Sequence, residues 1–258
     1  MSHTFEHLLY EHDESTVTIT MNRPERRNAL TRALLEEMIR AFSDAGDSNA
    51  SGVILAGNGK VFCTGHDFTE MLDQDLQTVR TLFGTCTRMM DTMQQIPQPV
   101  VARVHALATG AGCQLVATAD LAVASQDASF CTPGGRGGLF CTTPLVAVGR
   151  NIGRKRALEM AMSGDAIDAR TAEAWGLINQ VVEPDQLNDA TSQLLGRVTR
   201  GSFLSKSMGK QAFYAQIDLD QHKAYDYAIE VMAAASQLPD SQEGIRAFVD
   251  KRAPHFGS

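Results

Sequence analysis

The stretch VHALATGAGCQL at residues 104–115 decides how the rest of this chain is organised. It follows an apolar, strand-like run at residues 100–104 and leads into a run of small and apolar residues that predicts a helix. Gly110 and Gly112 lie at the corner between the two, where the chain turns sharply. A helix that starts from such a turn leaves its first backbone N–H groups without partners. The corner is therefore predicted to hold an anion or a developing oxyanion.

Earlier segments repeat this order of strand, turn and helix. Alternating β-branched residues at positions 16–21 predict a strand that pairs with the residues before it. Apolar residues spaced four apart then predict an amphipathic helix over residues 29–45, with Asn28 as its N-cap. A buried strand is predicted at residues 52–57 and a second helix at about residues 69–96. This repeated order of strand, turn and helix predicts an α/β fold with largely parallel strand pairs.

The chain becomes almost entirely helical after about residue 200. We therefore predict two parts: a core over residues 1–200 that carries the functional site, and a C-terminal helical subdomain over residues 201–258. The second part has too few residues to form a hydrophobic core alone, so we expect it to pack on a neighbour.

Composition excludes several functional classes. The 258 residues carry 30 acidic and 23 basic side chains, a net charge of −7, which argues against a nucleic-acid partner. The polar, acidic start does not resemble a secretory signal, and no apolar run is long enough to span a membrane. Five widely spaced cysteines predict core thiols in a reducing, cytoplasmic setting. Neither CxxC nor HExxH spacing occurs, so no metal site is predicted.

Six motifs together resemble the crotonase (enoyl-CoA hydratase/isomerase) superfamily, and they cover essentially the whole chain. They are NRP with NAL at 22–24 and 28–30, VFCTGHD at 61–67, GAGC at 110–113, FCTP at 130–133, AEAWGLI at 172–178, and EGIRAF with KR at 243–248 and 251–252. No single motif decides the matter, but their shared order makes the resemblance strong.

The resemblance implies a spiral of ββα turns followed by C-terminal helices that form a trimer, usually paired into a hexamer. It implies an acyl-CoA thioester as the ligand, with coenzyme A arriving as part of the substrate and no permanently bound cofactor. The thioester oxygen would be held by the backbone N–H groups of His66 and Ala111, which agrees with the glycine turns that precede both residues. The residues that the resemblance places along the coenzyme A limb are Arg26, Arg27, Ala29, Thr64, Gly65, Asp67, Phe68, Gly110 and Pro133.

Two departures from the family pattern concern the chemistry. Hydratases of the superfamily carry a glutamate after the glycine turn and another after the Phe-x-x-Pro, where this chain has Gln114 and Gly134. General acid or base catalysis is typically worth ~10²–10⁴ in rate. Neither Gln114 nor Gly134 can transfer a proton. Ordinary two-glutamate hydration is therefore not expected, and the oxyanion donors remain as the main catalytic element.

Several side chains and three functions stay open. The imidazole of His66 either reaches the acyl pocket or belongs to a partly exposed turn. Arg26 and Arg27 either meet coenzyme A phosphates or form a solvated turn, and Arg136 either anchors a substrate carboxylate or is a loop cation. Asp120 is expected to hold a loop in place. The candidate functions are an enzyme of the hydratase/isomerase family, a decarboxylase of malonyl-type thioesters, and a non-catalytic acyl-CoA-binding protein.

Overall fold

The structure, a computed structural model, describes residues 4–256 and has two sheets wrapped by helices. The strands are β1 (Leu8–Asp13), β2 (Thr16–Met21), β3 (Gly52–Gly57), β4 (Val100–Val104), β5 (Ala108–Thr109), β6 (Leu121–Ser125), β7 (Ser129–Cys131), β8 (Ile167–Asp168) and β9 (Gln180–Val182). The helices are α1 (Arg32–Gly46), α2 (Leu76–Gln95), α3 (Ala111–Thr118), α4 (Pro144–Ile152), α5 (Arg154–Ser163), α6 (Ala169–Trp175), α7 (Leu187–Val198), α8 (Phe203–Gln216), α9 (Gln221–Ser236) and α10 (Pro239–Val249).

The larger sheet has the order β1-β2-β3-β4-β6-β9, and the smaller has the order β5-β7-β8. β1 and β2 form an antiparallel hairpin, and every later neighbour in the larger sheet is parallel. Each parallel step needs a crossover, and helices α1, α2 and α3 supply the first three. The predicted α/β class with mostly parallel pairs is confirmed.

The start of α1 differs from the prediction. The side chain of Thr31, rather than that of Asn28, caps this helix by accepting a hydrogen bond from the N–H of Leu34. Asn28 is buried in a left-handed backbone conformation, and its amide donates to the carbonyl oxygens of Val61 and Phe62. Asn28 therefore bonds both to the nearby Arg23, whose N–H donates to its Oδ1, and to a loop more than 30 residues away. A local capping pattern does not reveal these distant bonds.

The helix predicted over residues 69–96 is in fact shorter. A 3₁₀ turn covers Phe68–Glu70, and α2 begins only at Leu76, after the side chain of Asp75 accepts a hydrogen bond from Thr78 N–H. A continuous helix over residues 69–96 would place Leu72 on its apolar face, but Leu72 is 70% exposed. Two separate capping aspartates, Asp67 and Asp75, divide the segment and turn this leucine outwards.

The C-terminal helices pack unequally on the rest of the chain. α8 is attached through Lys210 and Tyr214, which both contact the carboxylate of Asp120. α9, by contrast, contains no buried residue. The division at residue 200 stays a prediction. No helix within residues 4–256 is long and apolar enough to cross a membrane.

Candidate active site

Two turns meet at the end of the sheets. His66 pairs with Leu30 in a parallel bridge, and the N–H of Leu30 donates to the carbonyl of Gly65. The N–H of Thr109 donates to the carbonyl of Cys63, which brings the second turn alongside the first. The approach is close enough that a Cβ on Gly65 would lie 2.9 Å from the Ala111 nitrogen. The corner predicted at residues 104–115 therefore forms together with the turn at residues 64–66.

Two backbone donors at this junction are free. The N–H groups of His66 and Ala111 have no hydrogen-bond partner within residues 4–256. Ala111 is the first residue of α3, and Gly110 before it has a φ of 57°, a left-handed conformation that favours glycine. The helix start adds positive electrostatic potential at the same place. Such an arrangement can stabilise a developing oxyanion.

The two donors line a large cavity of about 820 Å³, within the size range of small-molecule sites. Of the predicted residues, it brings together His66, Ala111, Thr64, Gly65, Phe68, Gly110, Pro133 and Gly134. Large apolar side chains make up most of the wall: Phe68, Met71, Leu72, Phe83, Leu139 and Phe140. None of the residues lining the cavity carries a carboxylate, ammonium or guanidinium group. The cavity therefore suits an uncharged acyl group.

The imidazole of His66 forms part of the cavity wall and does not lie in an exposed turn. Its ring packs edge-on against Phe83 with the ring centroids 5.1 Å apart. Both ring nitrogens are buried, and neither has a hydrogen-bond partner in the described part of the chain. Burial lowers the pKa of His66 to about 4, so the ring is neutral at pH 7. It can donate or accept a hydrogen bond there, but it offers no positive charge to a carboxylate.

The predicted coenzyme A segment contains an internal ion pair. A guanidinium nitrogen of Arg26 lies 3.0 Å from a carboxylate oxygen of Asp67. Burial raises the pKa of Asp67, but hydrogen bonds from Thr69 and Arg26 outweigh it and hold that pKa below its usual value. Arg27 is exposed, and its carbonyl accepts a hydrogen bond from the N–H of Thr64. Ala29 is buried beside this loop and does not line the cavity.

The positions of the two absent glutamates differ in structure. Gln114 lies one turn along α3 from Ala111, is 6% exposed, and has its Oε1 buried without a partner in the described residues. Gly134 has no room for a side chain, because a Cβ there would overlap the carbonyl oxygen of Leu139 and lie 2.8 Å from the sulfur of Cys141. The loop conformation therefore excludes a glutamate at position 134.

Arg136 is directed away from the junction. It is exposed and lies 3.1 Å from the carboxylate of Asp165, and it is not part of the cavity wall. The structure does not bring this guanidinium to His66 and Ala111. No group of three or more His, Cys, Asp or Glu within residues 4–256 could hold a metal ion.

Sequence reasoning missed the segment at residues 139–144, which forms one side of the cavity. Four cysteines are buried, as expected for core thiols, but Cys141 is only half-buried and lines the cavity. The chain returns here because the N–H of Leu139 donates to the carbonyl of Gly134 and Cys141 accepts from Gly134 N–H at 3.2 Å. The glycine-rich run at 134–138 was the available signal for such a tight return.

Comparison with known proteins decides the family. The sequence profile of the enoyl-CoA hydratase/isomerase family matches residues 11–258. The chain belongs to this family. A solved enoyl-CoA hydratase structure from Mycobacterium smegmatis is 42% identical, with a TM-score of 0.94 and coverage of 98% of this chain and 99% of that one. Human enoyl-CoA hydratase domain-containing protein 3 is 37% identical, with a TM-score of 0.93 and coverage of 97% and 100%. These likenesses confirm the crotonase fold of this family member.

The comparisons also correct the expected compartment. Mouse enoyl-CoA hydratase domain-containing protein 3 is 41% identical over 238 residues, or 92% of this chain and 79% of the mouse protein. It and its rat, zebrafish and human counterparts are named as mitochondrial proteins. The prediction of a cytoplasmic protein is therefore wrong. Unpaired cysteines indicate a reducing compartment and do not separate the cytosol from other compartments of that kind.

Proposed function

We propose that this family member binds an acyl-CoA thioester and stabilises its enolate through the N–H groups of His66 and Ala111. The observation that carries the proposal is that both donors are unpaired within residues 4–256 and belong to residues that line an uncharged cavity of about 820 Å³. Removing one donor from an oxyanion hole typically costs ~10²–10³ in rate, so a pair of donors can supply a large part of a rate enhancement. Coenzyme A is the carrier of the substrate in this proposal.

The residues at positions 114 and 134 limit which reaction the site can catalyse. Gln114 cannot accept a proton, and the loop at Gly134 has no space for a carboxylate side chain. Two-carboxylate hydration is therefore not part of the proposal. Hydratase/isomerase-type chemistry that passes through the enolate and needs a single proton-transfer group fits the site better.

A non-catalytic acyl-CoA-binding protein is the second candidate. Position 134 favours it, because its tight loop supplies no carboxylate where hydration needs one. The decarboxylase hypothesis receives less support. Arg136 pairs with Asp165, and the lowered pKa of His66 leaves its imidazole neutral, so neither group anchors a substrate carboxylate.

We also propose the homotrimer or hexamer that the family resemblance implies, built through a C-terminal helical part over residues 201–258. α9 supports this proposal because several of its large apolar side chains are exposed while none is buried. Arg26 and Arg27 are exposed, and the carbonyl of Arg27 accepts from the N–H of Thr64 in the cavity wall, so we propose these two cations as partners of coenzyme A phosphates.

The test is to remove one donor with proline. Proline fits the first turn of a helix and has no N–H, so Ala111→Pro deletes the donor and keeps α3. The probe is 2,4-hexadienoyl-CoA, whose ultraviolet absorption moves to longer wavelength when donors polarise its thioester carbonyl. We expect this shift with the wild-type protein and its loss with Ala111→Pro, while calorimetry measures binding separately.

The matched control is Gln221→Pro, at the first position of α9, which is not part of the cavity wall. It should leave the spectral shift and the binding unchanged. An unshifted spectrum with the wild-type protein, or an unchanged shift with Ala111→Pro, would rule out the proposed oxyanion hole.

A further inference from the structure

Cys141 occupies a specific place in the proposed acyl site. Its sulfur accepts a hydrogen bond from the N–H of Gly134 at 3.2 Å and lies 2.8 Å from the point where a Cβ on that glycine would be. The thiol thus takes the space into which a side chain at position 134 would project. It lines the same cavity as His66 and Ala111.

Few other groups in the cavity wall can exchange a proton near pH 7. The wall contains no carboxylate or ammonium group, and its hydroxyl groups belong to threonines, which ionise only in strong base. The imidazole of His66 is neutral and remains so until the pH falls to about 4. The thiol is therefore the strongest acid that lines the cavity at neutral pH.

We propose that the thiol of Cys141 transfers the proton at C2 of the bound thioester, in place of the family carboxylate that position 134 lacks. The inference rests on the proposed acyl-CoA site and adds a catalytic residue to it. The observation that carries it is the position of the sulfur, which is hydrogen-bonded to Gly134 and lines the cavity that His66 and Ala111 also line.

The step balances without a further reactant. The enolate electron pair takes the thiol proton: the S–H bond breaks, a C–H bond forms at C2, the thioester carbonyl returns, and sulfur keeps the S–H electron pair as a thiolate. In reverse, the thiolate removes a C2 proton and the oxyanion hole receives the charge. The N–H of Gly134 stabilises the thiolate through the existing hydrogen bond. Burial raises the pKa of Cys141, which keeps the group protonated and ready to donate at neutral pH.

Hydrogen exchange at C2 measures this step directly. The full-length protein is incubated with phenylacetyl-CoA in D₂O, and mass spectrometry follows uptake of deuterium at C2. We expect exchange with the wild-type protein, increasing with pD through the thiol range because the thiolate is the base. Cys141→Ser keeps the size of the side chain but lacks an acidic proton, so exchange should fall by about 10²-fold or more. Cys86→Ala, which replaces a buried thiol of α2, should exchange like the wild type.

A second measurement separates this inference from the proposed function. Cys141 is the only half-buried cysteine within residues 4–256, so iodoacetamide should modify it first, and bound phenylacetyl-CoA should protect it. Protection together with unchanged exchange in Cys141→Ser would overturn the role of the thiol and keep the acyl site. Absence of protection would overturn the acyl site itself, and the inference with it.

Discussion

The buried imidazole of His66 should make stability depend on pH. Its pKa is about 4 when folded, lowered by burial, and about 6.5 in an unfolded chain. Between these values the unfolded chain binds the proton more readily than the folded chain. The contribution of His66 to the free energy of unfolding is therefore fully present above pH 6.5 and is lost as the pH falls towards 4. We expect a decrease of about 2 kcal/mol from this residue between pH 7 and pH 5.

Urea unfolding at pH 7 and pH 5 checks this expectation. His66→Phe keeps an aromatic ring against Phe83 and cannot titrate, so its stability should change less between the two pH values. His105, whose ring contacts the Gly59 carbonyl, also has a lowered pKa and titrates in both proteins, which makes the difference between them specific to His66. Equal pH dependence in both proteins would contradict a buried neutral imidazole.

Gly134 should tolerate no side chain in the present loop. A Cβ at this position would overlap the backbone oxygen of Leu139, which cannot move as a flexible side chain can. We expect Gly134→Ala to lower the free energy of unfolding by about 1–3 kcal/mol. Gly137→Ala is the control in the same 3₁₀ turn, because a Cβ there meets nothing within 4 Å. If both substitutions have equal effects in urea unfolding, the close approach at Gly134 is not what limits the position.

At the scale of elements, Asp120 should be essential for holding α8 on the sheet. Its carboxylate accepts from the N–H of Val100 at 2.7 Å, from the hydroxyl of Tyr214 at 2.7 Å and from the ammonium of Lys210 at 2.8 Å. The expected loop-holding role of this residue therefore extends to α8. Asp120→Ala would leave the ammonium of Lys210 buried without its counter-ion, a loss of about 3–5 kcal/mol in the free energy of unfolding.

Thermal unfolding compares Asp120→Ala with Asp218→Ala. The carboxylate of Asp218 also joins the end of α8 to the core, but its ion pair with Arg150 is exposed. Exposed pairs contribute about 0–1 kcal/mol, so this control should change little. Replacing Lys210 by Met in the Asp120→Ala protein should restore part of the stability, since it removes the unpaired charge. A small effect of Asp120→Ala would show that α8 is held by other contacts.

The strands and the helix starts show how much of the local structure the sequence predicts. Residues 52–57 and 100–104 form strands as expected, because short apolar runs with flanking glycine or proline describe buried strands well. The sequence predicts the start of α2 too early. Asp67 and Asp75 can each cap a helix, and the apolar pattern continues across both of them. Asn28 differs from the prediction for a related reason: its amide group donates to carbonyl oxygens at residues 58–62, and a local pattern carries no information about them.

At the scale of the whole molecule, the site was predictable in part. The glycine turns before His66 and Ala111 pointed to free donors, and the fold brings these turns together. The opposite side of the cavity comes from residues 139–144, whose position depends on how the loop after Pro133 folds back. Such tertiary closure leaves little periodic signal, so the spacing of the cysteines alone predicts a core thiol at Cys141.

The proposed trimer or hexamer requires an exposed apolar surface, and α9 provides one. Tyr225, Ile229 and Met232 follow one another at the i, i+4 and i+7 positions of α9, and each is more than half exposed. Such a stripe of large apolar groups marks an interaction surface. We expect the wild-type protein to sediment as a trimer or hexamer, and the double variant Ile229→Lys with Met232→Lys to sediment as a monomer.

Glu230→Lys is the matched control, because it adds a lysine to the same helix but on a neighbouring, polar side. It should keep the assembly of the wild type. Dilution gives a second readout, because a folded state stabilised by its own copies unfolds at a lower temperature as the protein concentration falls. This dependence should disappear in the double variant. A wild-type protein that sediments as a monomer at every concentration would rule out the assembly and leave the apolar stripe of α9 for another partner.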